Sequence, residues 1–417
     1  MTKNVVIIGA GAAGLMAAGF LAQRGAVVTL LEKNDRTAVK VRISGKGRCN
    51  ITNALPVREF PAHYGSNGSF LYGALHRFSN LDCIDFFARL GVETKVERGQ
   101  RVFPVSDDAN QVADALERFA RDEGAEILFQ HKAVGIVLAE DGRISGVQSL
   151  HEKEMKHHPA DAVIVATGGL SYPGTGSTGD GYRFARRLGH NIIEPRPALV
   201  PVRVAEKWPR QLSGLSLKNV ELSLLNPAGG KQAFFGELLF THFGLSGPIV
   251  LTASELIGQW VDASKQPVQA YLDLKPALSD EQLNRRLLRE LEAHSRKQLG
   301  SVLKELLPQR LISIILELSE LPAEHPNHQV TREERLRLVG VLKNLPLTIT
   351  GTLPVAAAIV TAGGVDLKEV DPKTMESKLH KGLYFIGEVL DVNGVTGGFN
   401  LQAAFSTAYC AAHAVEL

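Results

Sequence analysis

A glycine-rich turn between two apolar segments near the start of the chain constrains the fold more than any other feature. Residues 5–8 form a β-branched run short enough for a strand buried on both faces, and the run ends in GAGAAG at residues 9–14. A helical stretch follows, and residues 27–31 read as a second buried strand that closes on Glu32. The spacing predicts a βαβ unit that binds a dinucleotide.

Each glycine of this turn has a separate role in such a unit. Gly9 permits the tight turn, Gly11 lets backbone N–H groups approach a pyrophosphate at the helix N-terminus, and Gly14 allows close helix–strand packing. Glu32 is expected to bind the ribose hydroxyls of an adenosine. The alternatives are a Rossmann fold without nucleotide or a secretory signal peptide, since Lys3 precedes the apolar stretch. Glycines at turn spacing and the charged strand end argue against a signal peptide.

Length and charge limit the classes of function. The chain has 417 residues, enough for two or three domains, and its 46 basic and 44 acidic residues give a formal charge of +2. That balance indicates no global field for nucleic acid or for an anionic membrane, and no apolar run approaches the length that spans a bilayer. We therefore expect a cytoplasmic protein with a small-molecule substrate and neither nucleic acid nor membrane as partner. The oligomeric state cannot be read from the sequence.

Cysteine and histidine spacing argues against a metal site. The three cysteines are far apart and form no CxxC pair, so a dithiol redox centre and a zinc cluster are both excluded. His157 and His158 are adjacent, and adjacent residues on a strand face opposite ways. We expect no metal.

Residues 40–53 form a second glycine-rich segment. Gly45 and Gly47 lie among side chains rich in donors, including Ser44, Arg48 and Asn50. Such a loop suits a phosphate group or the edge of a flavin, and an ordinary cluster of turn residues is the alternative.

Two further glycine turns follow apolar strands. Residues 162–165 end in Ala166-Thr167-Gly168, where small residues allow the chain to pass close under a cofactor. Residues 383–386 end in Gly387-Glu388, and Gly397-Gly398 then opens a helix whose bare N–H groups can stabilise negative charge. A plain glycine cap on a C-terminal helix is the alternative for the last feature. A second GxGxxG, at residues 174–179, follows no strand directly and favours a helix cap over a separate NAD(P) site.

The middle of the chain has a different pattern. Residues 199–204, 220–225 and 232–240 resemble antiparallel strands, and leucines at helical spacing occupy residues 283–342. This pattern predicts a β-rich insert followed by a helical one.

Several strand-to-glycine turns in one domain fit FAD better than NAD, because FAD is gripped at adenosine, pyrophosphate, ribityl and isoalloxazine groups. The chain resembles the FAD-binding flavoproteins grouped with aminoacetone oxidase and BaiN/YhiN-type proteins. The motifs that carry the resemblance are IIGAGAAGL, ISGKGRCNITN, ATGGLSYPGTGSTGDGY, GELLFTHFGLSGP, TAGGV and TMESKLHKGLYFIGEVLDVNGVTGGFNLQAAFSTA.

The resemblance implies an α/β fold with a discontinuous, glutathione-reductase-like Rossmann domain that binds FAD. Residues 1–195 and 346–417 would form that domain, residues 196–276 a β-rich subdomain and residues 277–345 a helical subdomain. Gly387 and Glu388 would lie near the ribityl and pyrophosphate groups. Where relatives usually carry a glycine and a basic residue before Lys40, this chain has Ala38-Val39, so the course of that loop departs from the pattern.

The candidate site residues are numerous. The expected cofactor-binding residues are Gly9, Gly11, Ala12, Ala13, Gly14, Glu32, Lys33, Lys40, Ser44, Gly45, Gly47, Arg48, Cys49, Asn50, Val134, Ala166, Thr167, Gly168, Gly387, Glu388, Gly397, Gly398, Phe399, Asn400 and Leu401. The segment from Gly398 to Leu401 is implied to bind the flavin pyrimidine end. His242, Tyr172 and Arg48 are the candidate catalytic side chains, because they are polar groups in glycine-rich loops.

These features predict an FAD-dependent oxidoreductase that transfers hydride through flavin N5, with dioxygen or NAD(P)H as the redox partner. NAD(P)H would act only as a transient co-substrate, since no second complete nucleotide-binding motif is present. The alternative is a non-catalytic flavoprotein, a redox sensor or scaffold whose insert binds a macromolecular partner.

Overall fold

The structure is a computed structural model that describes residues 2–417, and the chain divides into two compact units. The first contains the residues up to Ala198 together with Val355–Leu417, and the second is Leu199–Pro354. The α/β Rossmann architecture predicted from the sequence is confirmed.

In the first unit some strands are separated by helices and others follow one another directly, and in the second unit four helices form one block. The strands are β1 (Asn4–Ile8), β2 (Val27–Leu31), β3 (Thr52–Asn53), β4 (Thr94–Glu97), β5 (Arg101–Pro104), β6 (Glu126–Leu128), β7 (Lys132–Leu138), β8 (Ile144–His151), β9 (Glu154–Pro159), β10 (Ala162–Val165), β11 (Ile192–Ala198), β12 (Val202–Val204), β13 (Ser216–Leu225), β14 (Lys231–Thr241), β15 (Gly244–Ser246), β16 (Val268–Asp273), β17 (Leu345–Thr352), β18 (Val360–Val365) and β19 (Leu383–Phe385). The α-helices are α1 (Ala12–Gln23), α2 (Val39–Ile43), α3 (Tyr72–Arg77), α4 (Asn80–Arg89), α5 (Ala109–Asp122), α6 (Asp180–Arg187), α7 (Trp208–Gln211), α8 (Pro248–Ser264), α9 (Asp280–Ala293), α10 (Leu299–Val302), α11 (Gln309–Leu318), α12 (Arg332–Lys343) and α13 (Phe399–Ala414). The 3₁₀ segments are Ser44–Gly47, Val57–Leu71, Pro173–Thr175, Leu303–Glu305, Asn327–Gln329, Val355–Ala357, Leu367–Glu369 and Gly387–Val389.

A five-stranded parallel sheet organises the first unit, in the order β19-β10-β1-β2-β6. The chain moves to one side after β1 and lies on the other side at β10, so the strand order reverses between these two strands. In open α/β sheets, ligands bind in the crevice outside the carboxyl ends of the strands at such a switch point. The glycine turn that follows β1 and the small-residue turn that follows β10 are both at this edge.

Burial on both faces explains the apolar strands. β10 and β19 are buried throughout, and β1 is buried after its first residue. Helix α1 is buried on nearly every side, and its Phe20 packs edge-to-face against Phe119 and Tyr409. Helices therefore cover the sheet, as a parallel sheet requires.

The second unit contains a closed antiparallel barrel in the order β12-β15-β14-β13-β16-β17. Helices α9 to α12 lie in sequence between the adjacent barrel strands β16 and β17, and leucines of α9 and α12 share one buried cluster with the barrel interior. The unit boundaries fall at Ala198 and Val355, whereas the predicted insert runs from residue 196 to 345. The second boundary lies later than predicted because β17 pairs with β12 and belongs to the barrel. The predicted four-part division stays a prediction.

In the part of the chain that the structure describes, no helix combines the length and the apolar composition needed to cross a bilayer.

Candidate functional site

The turn after β1 is built from close backbone contacts. Gly9 has φ +104°, and a Cβ added there would lie 2.7 Å from the carbonyl oxygen of Ala166. A Cβ added to Gly14 would lie 1.9 Å from the carbonyl oxygen of Gly9. Neither position tolerates a side chain, so the ends of β1 and β10 and the start of α1 are packed backbone to backbone.

Gly11 behaves differently, because a Cβ added there would meet no atom within 4 Å. It is the N-cap of α1, no side chain caps the helix, and its first turn carries no acidic residue. The first amides of a helix need acceptors from outside the helix. Open space before an uncapped helix N-terminus therefore suits an anion such as a pyrophosphate.

Glu32 is held beside this turn by two backbone donors. Its carboxylate accepts hydrogen bonds from the N–H of Ala10 and from the N–H of Asn34, each at 2.9 Å, and the residue is only 7% exposed. An ionised carboxylate has about four acceptor sites. The remaining acceptor sites of the Glu32 carboxylate are available to ribose hydroxyls, and binding the ribose is the role predicted for Glu32.

A second polar group joins helix α2, the loop after β10, strand β18 and the turn after β19. Lys40 Nζ lies 2.8 Å from Glu388 Oε2 and 2.7 Å from Ser171 Oγ, and Glu388 Oε1 accepts from Ser171 Oγ and from the N–H of Thr361. Nearby, Lys33 Nζ lies 2.6 Å from Asp180 Oδ2. The predicted cofactor residues Lys33, Lys40 and Glu388 are thus fixed by ion pairs within the first unit.

The loop at residues 44–50 is unusual in backbone conformation. Gly45, Lys46, Gly47 and Cys49 all have positive φ angles, so the chain reverses tightly there. The Cys49 side chain is fully buried, and burial raises the pKa of its thiol to about 12. A neutral, buried thiol is a packing group at neutral pH rather than a nucleophile.

Arg48 in this loop is engaged by acidic partners. Its guanidinium contacts the carboxylates of Glu97 and Asp107 and lies 4.3 Å from the centroid of the Phe103 ring. The hydrogen bond from Arg48 lowers the pKa of Glu97, and bonds from Lys95 and then Arg48 lower that of Asp107. This cluster anchors the loop, and a catalytic role for Arg48 stays a prediction.

The C-terminal segment returns to the N-terminal turn. A Cβ added to Gly387 would lie 3.1 Å from the Ala13 Cβ. Gly398, with φ +99°, is the N-cap of α13, and a Cβ there would lie 2.3 Å from the carbonyl oxygen of Thr52. No side chain caps α13 and its first turn carries no acid, so its amides are open to a polar ligand.

The segment before α13 is clamped by side chains. Asn53 Nδ2 donates to the carbonyl of Gly397 at 3.0 Å, Tyr64 Oη donates to that of Phe399 at 2.7 Å, and Asn400 bonds to both backbone groups of Gly394. The predicted residues of the pyrimidine end therefore form one rigid start to the helix.

Other candidates are in β7, in the segment after β10 and in the turn after β14. Val134 is the extra residue of a bulge in β7, and its carbonyl accepts from Arg187. Tyr172 has φ +50° and is 39% exposed. His242 is exposed in the turn after β14, in the barrel unit, with its ring 4.8 Å from that of Phe243. Thr167 carries a buried hydroxyl without a hydrogen-bond partner among residues 2–417.

Three residues of the site were missed by sequence reasoning. Ser171 and Thr361 complete the Lys40–Glu388 group, and His63 stacks on Phe399. No local pattern could have found them, because each acts through a partner outside its own element: Ser171 bonds to Lys40, 131 residues away, and the N–H of Thr361 bonds to Glu388, 27 residues away. Within residues 2–417, no group of histidine, cysteine and carboxylate side chains is arranged to hold a metal ion.

These observations fit FAD. The open space at Gly11 would receive the pyrophosphate, Glu32 the ribose, and the uncapped start of α13 the polar edge of the flavin ring.

Comparison with known proteins gives a full-length match. A family profile described as "HI0933-like protein Rossmann domain" matches residues 3–414. The ribosomal RNA dihydrouridine synthase of Haemophilus influenzae is 35% identical, over 99% of this chain and 98% of that protein. The 3-dehydro-bile acid delta(4,6)-reductase of Clostridium scindens is 32% identical, again over 99% and 98%. A 3-ketosteroid delta1-dehydrogenase from Sterolibacterium denitrificans has a similar fold, with TM-score 0.56 and 14% identity over 99% of both chains.

One prediction from the sequence is wrong in this light. The exclusion of nucleic acid from the partners is contradicted, because a relative that matches almost the entire chain is named for ribosomal RNA. The physical reason is that net charge averages over the whole surface, whereas a nucleic acid is held by local contacts.

Proposed function

This chain belongs to the HI0933-like family of FAD-dependent Rossmann oxidoreductases, and we propose that it reduces a carbon–carbon double bond conjugated to a carbonyl group. The favoured substrate is a uracil base of ribosomal RNA.

The names of the two relatives support one reaction class. Dihydrouridine is uridine whose C5–C6 double bond is saturated, and that bond is conjugated to the C4 carbonyl. In the bile acid reductase's name, the delta-4 double bond is adjacent to the 3-oxo group and the delta-6 double bond is conjugated to it through the first. Both products arise by adding a hydride to the carbon β to a carbonyl and a proton to the α-carbon.

The single observation that carries the choice of substrate is the 35% identity with the ribosomal RNA enzyme over 99% of this chain. A 3-oxo steroid with conjugated double bonds is the second candidate, favoured by the 32% identity with the bile acid reductase. No finding supports the non-catalytic alternative.

The cofactor and the protein divide the work. When bound, FAD supplies the hydride from N5. The chain holds the pyrophosphate at Gly11, the ribose at Glu32 and the flavin edge at the start of α13. The uncapped amides of α13 favour negative charge there, as hydride-transfer chemistry requires.

A reduction needs an electron source. We propose NAD(P)H as the two-electron donor. It would dock transiently and have no built-in domain, because the second GxGxxG, at residues 174–179, is the loop before α6 and Gly179 is the N-cap of that helix. For each double bond reduced, one NAD(P)H is oxidised and one proton is taken up from solvent.

An anaerobic half-reaction experiment tests this proposal. The FAD-loaded protein is reduced with NADH or NADPH and mixed with ribosomal RNA from cells that lack it, with the same RNA from cells that contain it, or with a 3-oxo-4,6-diene steroid. We expect the first RNA to restore the oxidised flavin spectrum and to gain dihydrouridine by mass spectrometry, while RNA from cells that contain the protein does neither. Flavin reoxidation by the steroid alone would select the second candidate, and reoxidation by neither would contradict the reaction class.

A further inference from the structure

His63 is a half-buried imidazole beside the start of α13. It lies in the 3₁₀ segment Val57–Leu71, and its ring stacks on the Phe399 ring with centroids 4.1 Å apart and an angle of 13° between the planes. Its carbonyl accepts from the N–H of Val395 at 3.0 Å. Phe60 and Tyr64 pack edge-to-face on the same Phe399 ring. The imidazole is therefore held in one orientation by backbone and aromatic contacts.

The ring nitrogens of His63 are unlike those of most histidines in this chain. His76, His131, His151, His158, His190, His325, His328, His380 and His413 each bond through a ring nitrogen to a backbone or side-chain group. Neither ring nitrogen of His63 has such a partner within the described residues 2–417. A fixed imidazole with both nitrogens unused is ready to bind or move a proton on a ligand.

The neighbourhood of His63 is the segment expected to hold the flavin ring. Phe399 is the first residue of α13, directly after Gly398, and the Tyr64 hydroxyl next to His63 donates to the Phe399 carbonyl. The Asn53 side chain ties the preceding Gly397 to the same cluster. His63 thus belongs to the first unit and to the rigid group at the uncapped helix start.

We propose that His63 is the acid that delivers the proton to the α-carbon of the double bond. The inference rests on the proposed function. The hydride forms the C–H bond at the β-carbon, and an imidazolium N–H of His63 breaks to form the C–H bond at the α-carbon. The π bond is consumed, the substrate gains two electrons and two hydrogens, and neutral His63 takes its next proton from solvent.

The charge around His63 is compatible with this role. Burial lowers its pKa below the usual value, and the carboxylate of Glu59 one turn earlier offsets part of that effect. Phe60 and Phe399 carry no charge, and burial raises the pKa of Tyr64, which stays neutral. The protonated fraction of His63 therefore rises as pH falls from neutral, and proton delivery should become faster in the same direction.

Two variants separate proton delivery from packing. His63→Phe keeps a ring to stack on Phe399, and His63→Asn keeps a polar group; neither can act as the acid. We expect both to bind FAD with unchanged affinity and to be reduced by NAD(P)H at the parent rate. Reoxidation by the RNA or steroid substrate should slow by about 10²–10⁴-fold, and its dependence on pH should flatten. His157→Asn, a matched change at an exposed histidine on β9, should reoxidise at the parent rate.

A measurement without turnover tests the location of His63. The visible spectrum of the bound, oxidised flavin is titrated from acid to neutral pH, where the parent should show a step as His63 loses its proton and both variants should show none. This readout holds even if no RNA or steroid substrate is reduced, so failure of the proposed function is distinguishable. An identical titration in the parent and both His63 variants, or reoxidation at the parent rate in both His63 variants, would overturn the inference.

Discussion

Lys40 and Glu388 form an ion pair, with Nζ 2.8 Å from Oε2, although 348 residues separate them in the chain. Ser171 and the N–H of Thr361 bond to the same carboxylate. The pair therefore joins helix α2, the loop after β10, strand β18 and the turn after β19. All four are in the Rossmann unit, at the edge where the cofactor is expected.

A double-mutant cycle should detect this coupling. The two side chains are 28% and 20% exposed, so Lys40→Met should lower the free energy of unfolding by only about 1 kcal/mol. In the Glu388→Gln background the same change should cost less, because no charge is left unpaired. Urea unfolding of the four FAD-loaded proteins measures the difference, and strictly additive effects would contradict the ion pair's contribution.

Glu32→Ala should weaken FAD binding at least tenfold. The substitution removes a charged acceptor, and each hydrogen bond to a charged group contributes about 1.5–3 kcal/mol. Titration of the apoprotein with FAD, followed by flavin fluorescence, gives the dissociation constant. Glu126→Ala, an exposed position on β6, is the control and should bind as the parent does. An unchanged affinity in Glu32→Ala would refute the ribose role.

Substitutions at Gly11 and at Gly14 should have different effects, the first on flavin binding and the second on stability. A side chain at Gly11 enters open space, so Gly11→Val should fold normally and yet purify without flavin. A Cβ at Gly14 would lie 1.9 Å from the Gly9 carbonyl oxygen, so Gly14→Ala should be destabilised by several kcal/mol, in the range of severe core overpacking. Thermal unfolding and the flavin-to-protein absorbance ratio distinguish the two, and normal flavin content in Gly11→Val would remove the pyrophosphate assignment.

Buried thiols should make stability fall at alkaline pH. Burial raises the pKa of Cys410 to about 11, so between about pH 9 and pH 11 the unfolded chain loses this proton while the folded chain keeps it. The unfolded state then binds fewer protons, and the free energy of unfolding should decrease by up to about 1.4 kcal/mol per pH unit from this thiol. Cys410→Ala should reduce that slope in denaturant titrations at several pH values. An equal slope in both proteins would contradict the assignment.

The Rossmann half of the fold was readable from local pattern. The strands of the parallel sheet are buried on both faces, so their apolar runs end sharply at glycines, and α1 and α13 begin where those glycines are. Helix α5 begins after Asp108, a residue type typical of an N-cap, and the Asp108 side chain accepts from the N–H of Asn110. Contacts between residues far apart in the chain could not be predicted from the sequence. Strand β11 contains two prolines and still pairs with β18: Pro195 lies in the irregular part of the ladder, and β11 is an edge strand, where Pro197 is tolerated.

The candidate site was readable to a similar extent. Glycines and Glu32 have fixed spacing along the chain, so sequence alone indicated them. The Lys40–Ser171–Glu388 group and the stacking of His63 on Phe399 depend on how distant loops meet, and no periodicity encodes that. Closure of the barrel could not be predicted from the sequence either, because β16 and its partner β17 are separated by the whole helical segment.

That separation has a consequence for how the chain can change. Leu272 and Leu345 are paired neighbours in the barrel, so everything between these strands is, in topological terms, the loop of one β-hairpin. The entropy lost on closing a loop grows only with the logarithm of its length, about 0.6 kcal/mol for each doubling. Loop closure therefore sets little limit on how much chain can lie between these strands, and the cost of altering the helices comes from the core that they share with the barrel. Change in this segment is thus limited by packing against the barrel, and the connection itself leaves its length free.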